Sequence, residues 1–145
     1  SSPPYLYDNC IIIRRGRLEY LADFSGDIIS EIGWLYSSDG FREGYMWVEG
    51  DDYTGYMDQQ GHLNFANQWD RGLPFSNGMA LVKKDGYYVK INTKGEIIAS
   101  TNFIDIFTPY DGAENYIAET DTKEYYLIDV SGNILRPTEQ KYSAF

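Results

Sequence analysis

Four short turns recur along this chain at nearly equal spacing. Asp23-Phe24-Ser25-Gly26, Asp58-Gln59-Gln60-Gly61, Asn92-Thr93-Lys94-Gly95 and Asp129-Val130-Ser131-Gly132 each read Asp or Asn, two variable residues, then Gly. Successive glycines are 35, 34 and 37 residues apart. Eight residues past the first three stand Trp34, Trp69 and Phe103, with Gln140 in the fourth copy. Phe41-Arg42-Glu43-Gly44 matches Phe75-Ser76-Asn77-Gly78, and Gly112 arrives 34 residues after Gly78. A fixed period of this size marks a repeat array, in which one unit cannot bury its apolar face alone and leans on its neighbours. The recurring residues Asp23, Gly26, Trp34, Asp58, Gly61, Trp69, Asn92, Gly95, Phe103, Asp129 and Gly132 are therefore expected to be scaffold.

Each copy parses into three short strands. In the third, Met79–Lys84 and Tyr87–Ile91 flank Asp85-Gly86, a two-residue hairpin signal, and Glu96–Ser100 follows the Asn92–Gly95 turn. Asp or Asn suits the first position of such a turn because its side chain accepts a backbone N–H two residues on. Gly suits the fourth, where the backbone turns left-handed. The second copy gives Tyr45–Val48, Gly55–Met57 and His62–Phe65, and the fourth gives Asn115–Ala118, Glu124–Ile128 and Asn133–Leu135. The first gives Cys10–Ile13, Leu18–Leu21 and Asp27–Ser30, and the segment from Thr101 to Tyr110 reads as an irregular connection. The expected fold is all-β: about four tandem three-stranded antiparallel meanders. They close like a propeller or barrel, or stay open as a solenoid. An extended arm over 1–8 precedes a single repeat domain over 9–145, with copies at 9–44, 45–78, 79–112 and 113–145.

Composition narrows the function. The chain has 145 residues, 17% of them aromatic, with 14 Tyr and only 3 Met, a balance that favours strands over helices. With 22 acids against 12 bases the net charge is −10, which disfavours nucleic acid and anionic lipid surfaces as partners. A basic partner is attracted, and solubility alone also explains the charge. One cysteine, Cys10, rules out an internal disulfide, and no apolar run is long enough to span a bilayer. The opening Ser1-Ser2-Pro3-Pro4, without Met, fits a tag remnant, an artificial boundary or the mature end of an exported chain. The exported reading is preferred.

Copies two and three resemble a known family. Gly55-Tyr56-Met57-Asp58-Gln59-Gln60-Gly61 resembles the turn signature of the bacterial WG beta-repeat family, as does the stretch Phe75–Gly86. The likeness extends from Cys10 to about Tyr142. The Trp-Gly pair that names the family is replaced by Glu19-Tyr20, Thr54-Gly55, Tyr88-Val89 and Tyr125-Tyr126, so only Gly55 remains. The resemblance implies a non-enzymatic binding or spacer role, often at the envelope, with no catalytic residues to carry over.

The residues agree with that implication. His62, the only histidine, follows a turn glycine and is repeated in no other copy, so it reads as an exposed strand start. Cys10 beside Ile11-Ile12-Ile13 reads as a buried, inert thiol. Without a second Cys or His a zinc site is not expected. The acids Glu49, Asp51 and Asp52, and Glu119, Asp121 and Glu124 with Asp111 and Glu114 nearby, lack the ligand spacing of an EF-hand loop and read as solvated hairpin tips. No phosphate-binding glycine loop is present. Neither cofactor, metal nor enzymatic activity is expected.

That leaves the aromatics. Tyr87, Tyr88, Tyr125 and Tyr126 fall on second strands, where alternation sends one of each pair outward, and Trp47 lies on a first strand. Outward rings could form a ladder that stacks on sugars or anchors a protein; packing across the sheet is the structural alternative. The expected function is a non-catalytic module binding a protein or glycan through Tyr87, Tyr88, Tyr125, Tyr126 and Trp47. The alternative is an acidic inhibitor or immunity-type protein that masks a basic surface.

Overall fold

A computed structural model describes residues 5–7, 10–38, 40–110 and 113–139, with backbone alone for 5–7. Gly112, Asp111, Gln140 and Tyr142, singled out above, lie outside the described residues. Among the described residues there is no helix, and all regular structure is antiparallel sheet. The first sheet comprises β1 (Tyr5–Tyr7), β2 (Cys10–Arg15) and β3 (Leu18–Ala22). The second runs β4 (Tyr36–Ser37), β5 (Tyr45–Glu49), β6 (Thr54–Asp58) and β7 (Leu63–Asn64). The third runs β8 (Arg71–Gly72), β9 (Met79–Lys84), β10 (Tyr87–Asn92) and β11 (Ile97–Ser100). The fourth runs β12 (Phe103–Phe107), β13 (Asn115–Thr120), β14 (Tyr125–Asp129) and β15 (Ile134–Thr138). In every sheet the strands lie in chain order, so each is a simple meander.

The strand count departs from three per unit. Three sheets gain a leading strand from the end of the preceding copy. β4 and β8 are only two residues long, too short for alternation to show. β12 has one residue bulged out between Phe103 and Asp105, which scrambles its apolar pattern. The first sheet has three strands for a different reason. Its expected third strand, Asp27–Ser30, is reduced to one bridge between Ala22 and Ile28. Instead Tyr5–Tyr7, within the extended arm, pairs with β2 in the register Tyr5↔Ile12 and Tyr7↔Cys10. The aliphatic β2 offers an unpaired ladder on that side, and the chain fills it.

The chain divides into two compact units, residues 1–68 and 69–145. The first has a core of Cys10, Leu21, Trp34, Met46, Val48 and Met57. The second buries Leu81, Tyr88, Phe103, Ile106, Tyr116 and Ile128 together. Trp34, Trp69 and Phe103 are all buried. Trp34 and Trp69 each stand two residues ahead of the leading strand of a sheet, β4 and β8, while Phe103 is the first residue of β12.

The recurring turns show why the pattern recurs. Asp23 Oδ1 accepts from the N–H groups of Ser25 and Asp27, Asp58 Oδ1 from Gln60 and His62, and Asn92 Oδ1 from Lys94 and Glu96. Asp129 Oδ1 accepts from Asn133 N–H. The glycine N–H of each turn donates back to the backbone carbonyl of the Asp or Asn at 3.0 to 3.1 Å. One carboxylate or amide thus closes a hairpin that the backbone alone would leave with open donors. Asp85-Gly86 forms the expected two-residue turn, with φ of 54° and 88°.

Candidate functional site

The strands place the five aromatic candidates unequally. Tyr87 and Tyr88 alternate on β10 as expected: Tyr87 is exposed and Tyr88 is fully buried. Tyr87 is also oriented, because its hydroxyl donates to Asp121 at 3.2 Å. That bond, with the negative charge beside it, raises the Tyr87 pKa above the usual phenol value. Tyr88 lies in the second core with Lys83 Nζ 5.8 Å from its ring centre, and burial raises its pKa, opposed by Arg71 and aided by Asp105. Tyr125 and Tyr126 are half-buried on β14, and Tyr126 packs against the core.

Trp47 corrects the surface reading, as does Tyr88. Trp47 on β5 is buried, its ring edge-on to Tyr56 at 5.1 Å, and its Nε1–H donates to Glu49 Oε2 at 2.7 Å. The physical reason is the same for both. Tyr88 faces the second core, whereas Trp47 lies on the face of β5 opposite Met46 and Val48 and is covered there with Tyr56; in both places a large ring removes much apolar surface from water. Neither can present a face to a ligand in this arrangement, so no even ladder of outward rings forms. Among the described residues, the rings that stand in solvent are Phe24, Tyr36, Tyr87 and Tyr110, the last 68% exposed.

Several acids of the two clusters have partners within the protein. Asp51 pairs with Arg17 at 2.7 Å, and Asp121 accepts from Tyr87, so two hairpin tips in each unit are tied across 34 residues of sequence. Glu119 lies 3.5 Å from Lys123 Nζ, and Glu124 accepts from Thr122 Oγ1 at 2.9 Å. No group of three or more His, Cys, Asp or Glu among the described residues could hold a metal ion. His62 is exposed and its backbone N–H serves the Asp58 turn. Cys10 is buried in the first core.

One surface feature went unread in the sequence. Ile97 and Ile98 on β11, and Ile134 and Leu135 on β15, are each about half exposed. A signal existed: apolar pairs follow the turn glycines by two and three residues, at Ile28-Ile29, Ile97-Ile98 and Ile134-Leu135.

The geometry defines a β-repeat protein whose recurring residues build turns and cores. Residues 55–88 match the family described as WG containing repeat. Over that segment, from β6 to β10, the chain is similar to a WG-type repeat, where the resemblance read from its residues is strongest. No curated protein matches the chain. Twenty chains of solved structures match, among them "KlHsv2 with loop 6CD replaced by a Gly-Ser linker" at 14% identity and a TM-score of 0.46. That match covers 90% of this chain and 50% of the other, so the present chain spans about half the length of that structure. No helix among the described residues is long and apolar enough to cross a membrane.

Proposed function

We propose that this chain is a non-catalytic repeat module that holds a protein, or a glycan, against exposed aromatic side chains. The observation that carries the reading is the exposure of Phe24, Tyr87 and Tyr110 on a frame whose recurring residues are consumed by turns and cores. Exposed rings of this size on an otherwise acidic surface suit sugar stacking or a protein anchor. Tyr87 is held by Asp121 before any ligand arrives, so less side-chain freedom is lost on binding. The test substitutes Phe24→Ala, Tyr87→Ala and Tyr110→Ala, one at a time, and screens binding to glycan arrays and immobilised protein extracts. Unchanged thermal stability with lost binding supports the reading. A ligand set indifferent to all three substitutions defeats it.

A second reading rests on the net charge of −10: an acidic protein that masks a basic surface, as an inhibitor or immunity protein does. Its complex would weaken steeply with salt and tolerate loss of the aromatic rings.

A further inference from the structure

Tyr88 carries a buried polar atom that the fold does not use. Its ring belongs to the second core, but its hydroxyl has no hydrogen-bond partner among the described residues. A buried hydroxyl left in this way destabilises the folded chain. The strand register shows what stands around it. Lys83 on β9 is directly opposite Tyr88, and Arg71 on β8 is directly opposite Lys83, so the three side chains form one row on one face of the sheet. Lys83 Nζ lies 5.8 Å from the Tyr88 ring centre, and Arg71 is close enough for its charge to favour the ionised phenol. Both cations only donate hydrogen bonds, so neither can take the phenol proton. Among the described residues neither is held in an ion pair. Asp105 is the acid whose charge acts on Tyr88, against Arg71, and its Oδ1 accepts from the Ile106 N–H at 3.0 Å. The row is therefore rich in donors and positive charge, and lacks an acceptor.

We propose that Arg71, Lys83 and the Tyr88 hydroxyl form a binding site for one phosphate group, as the free ion or on a small monoester. Such a group accepts from all three and brings about −1.5 to −2 charges against two cations. A guanidinium fork matches two of its oxygens and an ammonium adds a point charge. A carboxylate has one charge and two oxygens, and matches the row less well. Arg71 and Lys83 are only half-buried, so a small ion reaches them from water. The net charge of −10 does not forbid this, because screening limits distant charges to about 8 Å at physiological salt. Nearer at hand, the sheet β8–β11 with its turns carries five Lys or Arg against two acids, Asp85 and Glu96. The site is distinct from the exposed rings and does not depend on their holding a protein or glycan.

The whole chain is titrated with inorganic phosphate and with glycerol phosphate at about pH 8, where the group is dianionic. Ionic strength is held constant with sodium chloride, sodium acetate is the control, and amide shifts are followed in a heteronuclear spectrum. Both phosphates are expected to shift Arg71, Lys83 and Tyr88 saturably and to bind about tenfold or more tighter than acetate. Arg71→Gln and Lys83→Gln should each weaken binding about tenfold, and Tyr88→Phe about threefold. Tyr88→Phe keeps the ring and removes only the unpartnered hydroxyl, so without phosphate it should melt no earlier than the wild type. Asp105→Asn should strengthen binding about threefold, which a merely structural role does not produce. Lys94→Gln, in the exposed turn of the same sheet, should leave binding within about twofold. Lys83→Gln reports even if Arg71→Gln melts early. Binding of only one of the two phosphates supports the site and names its source. The absence of saturable shifts with both overturns the inference. So does acetate binding equally well, equal weakening by Lys94→Gln and Lys83→Gln, or weaker binding by Asp105→Asn.

Discussion

At the scale of single residues, the space around a would-be Cβ divides the turn glycines into two kinds. Gly26 and Gly61 occupy the same turn position with φ of 89° and 90°. A Cβ on Gly26 would meet nothing within 4 Å, whereas one on Gly61 would run into the Ile29 carbonyl oxygen with the Ser30 Cα 2.8 Å away. Gly26→Ala therefore carries only the left-handed strain, about 1–2 kcal/mol. Gly61→Ala adds a backbone clash and should lose at least about 3 kcal/mol by urea unfolding. Lys123 is the converse case. It holds φ of 67° in a turn where Lys123 N–H donates to the Thr120 carbonyl and Glu124 N–H to Thr120 Oγ1. That is the recurring turn built with Thr and Lys in place of Asp and Gly. Lys123→Gly relieves the strain, offset by a freer unfolded chain and by loss of the cation 3.5 Å from the nearly buried Glu119, so stability by urea unfolding should change by less than about 1 kcal/mol. Tyr88 gives a pH signature. Burial raises its pKa in the folded state, so the unfolded chain gives up this proton first as pH rises. Stability should thus fall from about pH 10 upward, and Tyr88→Phe should flatten part of that slope in urea melts between about pH 9 and 11.

Among the elements, β7 shows how one residue type serves a strand it does not belong to. A Cβ on Gly55 would lie 2.8 Å from the Asn64 carbonyl oxygen and 2.8 Å from Leu63 Cδ1, so β6 leaves room for the chain that crosses it. Gly55 stands where the WG-type repeat carries its glycine, and this close approach is a physical reason for a glycine there. Gly55→Ala should lose about 1–3 kcal/mol, with amide shifts concentrated at Leu63 and Asn64 in a heteronuclear spectrum. Shifts spread evenly over the first unit would refute the local account. Features of this local kind were the legible ones. The Asp-x-x-Gly turns and Asp85-Gly86 are set by backbone needs within four residues, and composition alone pointed to an all-β chain. What escaped depends on a second strand. The bulges at Ile98 and Leu135 exist only relative to β10 and β14, and β4 and β8 are strands only because β5 and β9 lie beside them. Trp47 was misjudged for the same reason: alternation assigns a side chain to a face but cannot tell which face a neighbouring layer covers.

Over the whole molecule, charge is the property that separates the candidate functions. The excess of 22 acids over 12 bases contributes nothing specific to the fold, since the acids described here hold turns, pair with single cations or face water. Its consequence lies in encounter. A field of this sign speeds approach of a basic partner and slows approach of an acidic one, and salt removes both effects as the screening length shortens from about 30 Å at 0.01 M to about 3 Å at 1 M. Contacts made by buried rings or by strand pairing are little screened, so they govern dissociation instead. A basic protein or peptide bound by this chain should therefore show an association rate that drops by tenfold or more between about 0.02 M and 0.5 M salt. If exposed rings hold the complex, the dissociation rate should change by less than about threefold over the same range. Stopped-flow fluorescence resolves the two rates. A dissociation rate that climbs as steeply as association falls would place the binding energy in the acidic surface itself and favour the masking function. A flat association rate would reduce the charge to a device for solubility, since a partner steered by this field cannot ignore its removal.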